Sequence, residues 1–142
     1  MKAAPAARPI GFYEHEAPAL ARQYDSVSFE DVHKDILHHV PSPPRLVLDV
    51  GAGSGRDAAA LTQLGHRVVA AEPAPKLRAL GQLRAPEAEW LVDRLPLLPK
   101  VRARCELFDF ILCSAVLMSL APGELAPSFA SMAGLLKADG KL

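Results

Sequence analysis

Cysteine is scarce: there are two, Cys105 and Cys113, not arranged as C-x-x-C and with no histidine near them in sequence. They read as reduced thiols of a cytoplasmic protein, and Cys113, at the end of an apolar run, as a small core residue. Net charge is also missing. Sixteen basic and sixteen acidic side chains cancel, which argues against a dedicated nucleic-acid surface and against a polybasic membrane patch. No apolar run approaches the ~20 residues that cross a bilayer. The N-terminal MKAAPAARP has no apolar stretch of the secretory kind and reads as a frayed tail. The histidines His15, His33, His38, His39 and His66 show no metal-ligand spacing with acids or cysteines, so no metal is expected.

What is present is a chain of 142 residues, half of them hydrophobic, enough for one domain with a packed core. A short helix is expected over residues 14–25. Ser28 to Asp31 is close to a capping box and opens a second helix, in which Phe29, Val32, Ile36, Leu37 and Val40 form one apolar stripe. Pro41-Ser42-Pro43-Pro44 ends it. From Arg45 the period changes. Residues 46–50 read as a strand buried on both faces, 57–64 as a helix closed by Gly65, 68–71 as a strand, 75–84 as a helix and 90–92 as a short strand. Residues 95–104 read as a proline-rich, basic loop and 108–113 as a fourth strand. Leu125, Phe129, Met132 and Leu136 mark one face of a last helix. Ala138-Asp139-Gly140 then turns the chain into Lys141-Leu142. Strands alternating with helices make an α/β pattern with a mostly parallel sheet. Ligands of such sheets bind beyond the carboxyl ends of the strands, at the switch in strand order.

The segment LVLDVGAGSGRDAAAL stands at such an end. Gly51, Gly53 and Gly55 fall at every second position between a strand and a helix, and Asp49 lies inside the strand. Glycine permits positive φ and close backbone approach, and the helix start offers free N–H groups. The spacing is G-x-G-x-G, not the dinucleotide G-x-G-x-x-G, and no lysine followed by Ser or Thr makes a phosphate-cradling loop. Asp49 would repel a pyrophosphate and suits a ligand with an ammonium group; an acid inside a buried strand is costly without a partner.

These residues resemble the first motif of the class I S-adenosylmethionine-dependent methyltransferases, and the resemblance continues from Arg45 through most of the chain. Glu72-Pro73 ends the second strand, Asp93-Arg94-Leu95-Pro96 ends the third and is similar to a D-x-L-P stretch, FDFIL is similar to the fourth strand, and LLKADG resembles the turn before the fifth. The resemblance implies a Rossmann-like sheet and S-adenosylmethionine as cofactor. It implies that Asp49 faces the methionine ammonium, directly or through water. Gly51, Ala52 and Gly53 would lie against the cofactor, and Gly55 would start the helix close behind. Glu72, with Pro73 beside it, would hold the ribose hydroxyls. Asp93 would accept from the adenine amino group, with Arg94 and Leu95 lining the ring, and Ser114 would meet the methionine end. Tyr24 is a candidate cover. The bland rivals are a solvated acid at Glu72 and a turn cap at Asp93.

Residues 1–44 would then be a tail and cap helices, and 45–142 the cofactor-binding core. The family's sheet has more strands than this pattern supplies, so the fourth strand is expected as an exposed edge, a possible site of homo-oligomerisation. Ser119 stands where relatives often carry a histidine, and no catalytic base is assigned. The expected activity is methyl transfer to a small-molecule acceptor, with no nucleic-acid or membrane partner. The alternatives are a non-catalytic cofactor-binding module and a nucleotide-dependent oxidoreductase.

Overall fold

The computed structural model describes residues 9–142; the expected N-terminal tail lies almost wholly outside the described residues. The chain runs α1 (Ile10–Asp25), α2 (Phe29–His33), β1 (Leu46–Val50), α3 (Arg56–Gln63), β2 (Arg67–Ala71), α4 (Pro75–Arg84), β3 (Glu89–Leu91), α5 (Pro99–Ala103), β4 (Phe108–Leu112), α6 (Leu125–Ala133) and β5 (Leu136–Lys141). The five strands form one parallel sheet in the order β3-β2-β1-β4-β5. The chain builds outward from β1 to β3 and then crosses back to lay β4 on the other side of β1. The switch in strand order therefore falls at β1 and β4, the place where such sheets open a crevice.

Continuous apolar strands place side chains on both faces, and both are covered. Val47, Val68, Ala70, Phe110 and Leu112 pack with Phe29, Ala58 and Leu61 on one face. Leu48, Val50, Val69, Ala71 and Ile111 pack with Leu98, Val101, Met132 and Leu135 on the other. Each large side chain so buried contributes roughly 1.5–3 kcal/mol. Among the described residues no helix is long and apolar enough to cross a membrane.

Four readings of the sequence are corrected here. The second helix ends at His33, and Ile36, at φ −120° and ψ 0°, breaks it before a short 3-10 turn at Leu37–His39. Its inward residues are Phe29 and His33, whereas Val32 is exposed; a buried hydrogen-bond partner for His33 turns that face inward. Residues 95–104 are not all loop, because Pro99 starts the short helix α5. In α6 the buried residues are Ser128 and Met132, while Leu125 and Phe129 face outward. The Ser128 hydroxyl is buried because it donates to the Glu124 carbonyl at 2.6 Å.

The fourth correction concerns the sheet edge. β4 is paired on both sides, with β1 and with β5, so the expected exposed fourth strand is interior and β5 is the edge. Leu136 lies opposite Phe108 and Lys141 opposite Phe110. Two steps along β4 thus face five along β5, a register shift that falls at Lys137 to Gly140. At the far end of the sheet, Asp109 binds three strands together. It accepts from the Leu46 N–H at 2.9 Å and from Lys137 Nζ at 3.0 Å. The Leu46 N–H is the main reason its carboxyl titrates below the usual range.

α1 packs on α4 through Ala17, Ala74 and Leu77. Glu14 Oε1 accepts from the Lys76 N–H at 2.7 Å, serving the start of α4 from another helix, and Asp25 pairs with Arg84.

Candidate functional site

A cavity of about 470 Å³ opens at the carboxyl ends of β1, β2 and β4 and is bounded on one side by α1. Its floor is the loop after β1. The N–H groups of Gly51 and Ala52 both donate to the Ala71 carbonyl, at 2.8 and 3.0 Å, which ties the loop to the end of β2. Gly51 has φ +68°, and a Cβ there would stand 2.3 Å from Val116 Cγ2. The segment after β4 therefore closes on this glycine, and no larger residue fits without displacing it. Gly55, at φ +88°, has a different neighbour: a Cβ would meet Gly81 Cα of α4 at 2.9 Å. Its small size lets α3, which it caps, start close against α4.

Glu72 is one of three acids that line the cavity, with Asp57 and Glu124. It is buried yet lines the cavity. Its Oε2 accepts from the Gly53 N–H at 2.8 Å and its Oε1 from the Ala74 N–H at 2.9 Å. Burial pushes its carboxyl above the usual range, while those two N–H groups oppose the shift. Each carboxylate oxygen can accept more than one hydrogen bond, so the group is fixed in place with acceptor capacity in hand. Arg78 Nη1 donates to the carbonyls of Glu72 and Pro73, at 3.0 and 3.3 Å, and steadies the bend after β2.

The cavity also gathers Gly51, Ala52 and Gly53 from the loop, and Pro73, Arg94, Leu95 and Ser114 from the ends of the other strands. Tyr24 of α1 lines it as well, its ring 3.9 Å from where a Cβ of Gly53 would lie. Two expected contacts are not among the lining residues. Asp49 is 2 % exposed and sits behind the loop, with Oδ2 lacking a partner among the described residues. Burial, then the charges of Asp57 and Glu72, raise its pKa well above the usual range. Its carboxyl thus lies beneath the loop and not on the cavity surface. Asp93 holds backbone with both oxygens, Oδ1 accepting from the Arg94 N–H at 3.0 Å and Oδ2 from the Val101 N–H at 2.8 Å, and like Glu72 it keeps further acceptor capacity. The Val101 bond caps a turn, because Val101 belongs to the first turn of α5, whose N–H groups need outside acceptors.

Two constellations escaped the sequence reading. Asp57, in the first turn of α3, accepts from Arg56 Nε at 2.8 Å and is hydrogen-bonded to His33 Nε2 at 3.0 Å. This joins α2 to the helix that follows the loop, and its only sequence signal is an acid beside an arginine. Across the cavity mouth, Tyr13 Oη and Ser119 Oγ are 2.7 Å apart, 106 positions distant in the chain, and no local pattern announces them. Glu124 lines the same wall, its Oε2 accepting from the Ala121 N–H at 3.0 Å.

The residues fit a nucleoside-bearing cofactor on three counts. The volume lies within the ~300–1,000 Å³ of small-molecule sites. At Gly53 only the Tyr24 ring lies within 4 Å of where a Cβ would stand, so bare backbone borders the cavity there, and a fixed carboxylate faces the space.

The sequence family described as a methyltransferase domain matches residues 48–142, more than half of the chain. An uncharacterized methyltransferase of Mycobacterium leprae is 35% identical over 82 residues, covering 54% of this chain and 30% of the relative. The chain thus spans less than a third of the length of the curated relatives it matches. Among solved structures, a TehB-like S-adenosylmethionine-dependent methyltransferase from Corynebacterium glutamicum superposes with a TM-score of 0.65 at 24% identity, covering 87% of this chain and 70% of the other. A methyltransferase from Geobacter sulfurreducens, in complex with S-adenosyl-L-homocysteine, gives 0.66 at 18% identity over 94% of this chain and 53% of the other. Magnesium protoporphyrin IX methyltransferase from Synechocystis, with bound S-adenosylmethionine, gives 0.62 at 18% over 88% and 59%. The chain belongs to the methyltransferase-domain family, and its parallel sheet is that of the class I S-adenosylmethionine-dependent methyltransferases.

Proposed function

We propose that the cavity binds S-adenosylmethionine and that the protein transfers its methyl group to a small-molecule acceptor. The observation that carries the reading is the Glu72 carboxylate, held by two backbone N–H groups and presented to the cavity beside the glycine loop. Two fixed oxygens suit two adjacent ribose hydroxyls. The backbone of Gly51, Ala52 and Gly53 supports the ligand from below, Pro73, Arg94 and Leu95 flank the base, and Ser114 meets the amino-acid end. Asp49 acts through the loop rather than by contact: its buried negative charge, disfavoured by Asp57 and Glu72, is relieved by a cation on the cavity side. The cofactor supplies an activated methyl on a sulfonium, so the protein's chief task is to align an acceptor with it and to keep water out. Zero net charge and a cavity of small-molecule size favour a small acceptor over nucleic acid.

Calorimetric titration with S-adenosylhomocysteine tests this reading. The wild type binds, and Glu72→Ala weakens binding by roughly tenfold or more, the effect of losing hydrogen bonds to a charged group. Equal affinity in the two proteins refutes the ribose assignment.

A further inference from the structure

The cavity has two walls of different chemistry. One is built from the ends of β1, β2 and β3 and carries Glu72, Arg56 and Arg94. The other is built from the first turns of α1 and the segment after β4, with Ile10, Val116, Leu120 and Ala121 supplying carbon surface. On that second wall the polar side chains are Ser114, given above to the cofactor, the Tyr13–Ser119 hydroxyl pair, 2.7 Å apart, and Glu124, already accepting from the Ala121 N–H. The lining cations are both elsewhere, and Arg56 is committed to Asp57 and to the Tyr24 carbonyl.

We infer that this second wall seats the methyl acceptor, and that the acceptor is a non-anionic, largely apolar small molecule whose hydroxyl is held by the Tyr13–Ser119 pair. The inference rests on the cofactor occupying the first wall as proposed above. Each hydroxyl offers one donor and two acceptor sites, and their mutual bond uses one of each. One donor and three acceptor sites remain for a third hydroxyl. An anionic acceptor would shed its water against carbon and Glu124 with no counter-charge, a cost of the kind that excludes unpaired charges from such places. The pair also ties α1 to the segment after β4, so the same two hydroxyls close the mouth and fix what enters it. In this scheme Tyr13 and Ser119 are specificity-determining residues.

The test uses ligand-observed NMR with three probes of one size, benzyl alcohol, benzoate and benzylamine, added to the full chain with and without saturating S-adenosylhomocysteine. Benzyl alcohol is expected to bind the S-adenosylhomocysteine-loaded wild type in preference to the other two. Its affinity falls about three- to tenfold, the loss of one hydrogen bond, in Tyr13→Phe and in Ser119→Ala, and recovers in Ser119→Thr. Affinity for S-adenosylhomocysteine stays unchanged in Tyr13→Phe, which separates loss of the acceptor seat from loss of fold. Preference for benzoate or benzylamine overturns the inference, as does benzyl alcohol binding that is unchanged in both Tyr13→Phe and Ser119→Ala. Failure of the wild type to bind S-adenosylhomocysteine overturns the reading of the first wall, and this inference with it.

Discussion

Asp49 is the residue where sequence and energetics pull hardest against each other. Its side chain is buried in the central strand, and burial together with the charges of Asp57 and Glu72 favours the protonated acid. The folded protein therefore holds this proton more tightly than the unfolded chain, whose carboxyl titrates near 3.8. The stability that follows is complete below that value and is lost as pH rises toward the elevated folded value. Asp49→Asn keeps the shape of the neutral acid and removes the titration. Thermal melts of the ligand-free protein at pH 4, 6 and 8 should show little change at pH 4. A rise in midpoint at pH 8 should follow, about 4 °C for each kcal/mol recovered. Parallel curves for the two proteins would mean that Asp49 is ionised at little cost, and that a charge the loop alone can stabilise sits beneath it.

At the scale of elements, α5 shows how a helix too short for periodicity is specified. Pro99 pre-sets its first turn, and Asp93 accepts the Val101 and Arg94 N–H groups. Asp93→Ala should destabilise the protein by about 2–4 kcal/mol, since two N–H groups lose their acceptors, as read by urea unfolding. Affinity for S-adenosylhomocysteine, measured where the variant is folded, should be unchanged. The opposite pattern, lost affinity with full stability, would restore the adenine contact that the motif suggested. This contrast marks what the sequence discloses. β1, β2, α3 and α4 were legible because apolar runs, Gly65 and Pro75 punctuate them, and the G-x-G-x-G loop announced the cavity floor. α5, the inward face of α2 and the outer course of β5 were not, because each depends on a partner remote in the chain: Asp93 for Val101, Asp57 for His33, Phe108 for Leu136. The glycines were legible as glycines, but what each one accommodates, Val116 at Gly51 and Gly81 at Gly55, belongs to tertiary packing.

For the whole molecule, the sheet order sets a gradient of protection. β1 is flanked by β2 and β4 and covered on both faces, so its amides open only with global unfolding. Hydrogen exchange followed by mass spectrometry should find peptides of residues 46–50, 67–71 and 108–112 slowest. Residues 136–141, on an edge with a register shift and mostly exposed side chains, should exchange early. Uniform protection across the five strands would contradict the assigned order. The two cysteines lie at opposite ends of β4 and live in different chemical worlds. Burial and the neighbouring Asp49 push the Cys113 thiol up to about 11, whereas Cys105 is exposed at the end away from the cavity. A thiol-directed dye at neutral pH thus has one address, and the molecule carries its own handle for a fluorescent reporter at a distance from the chemistry.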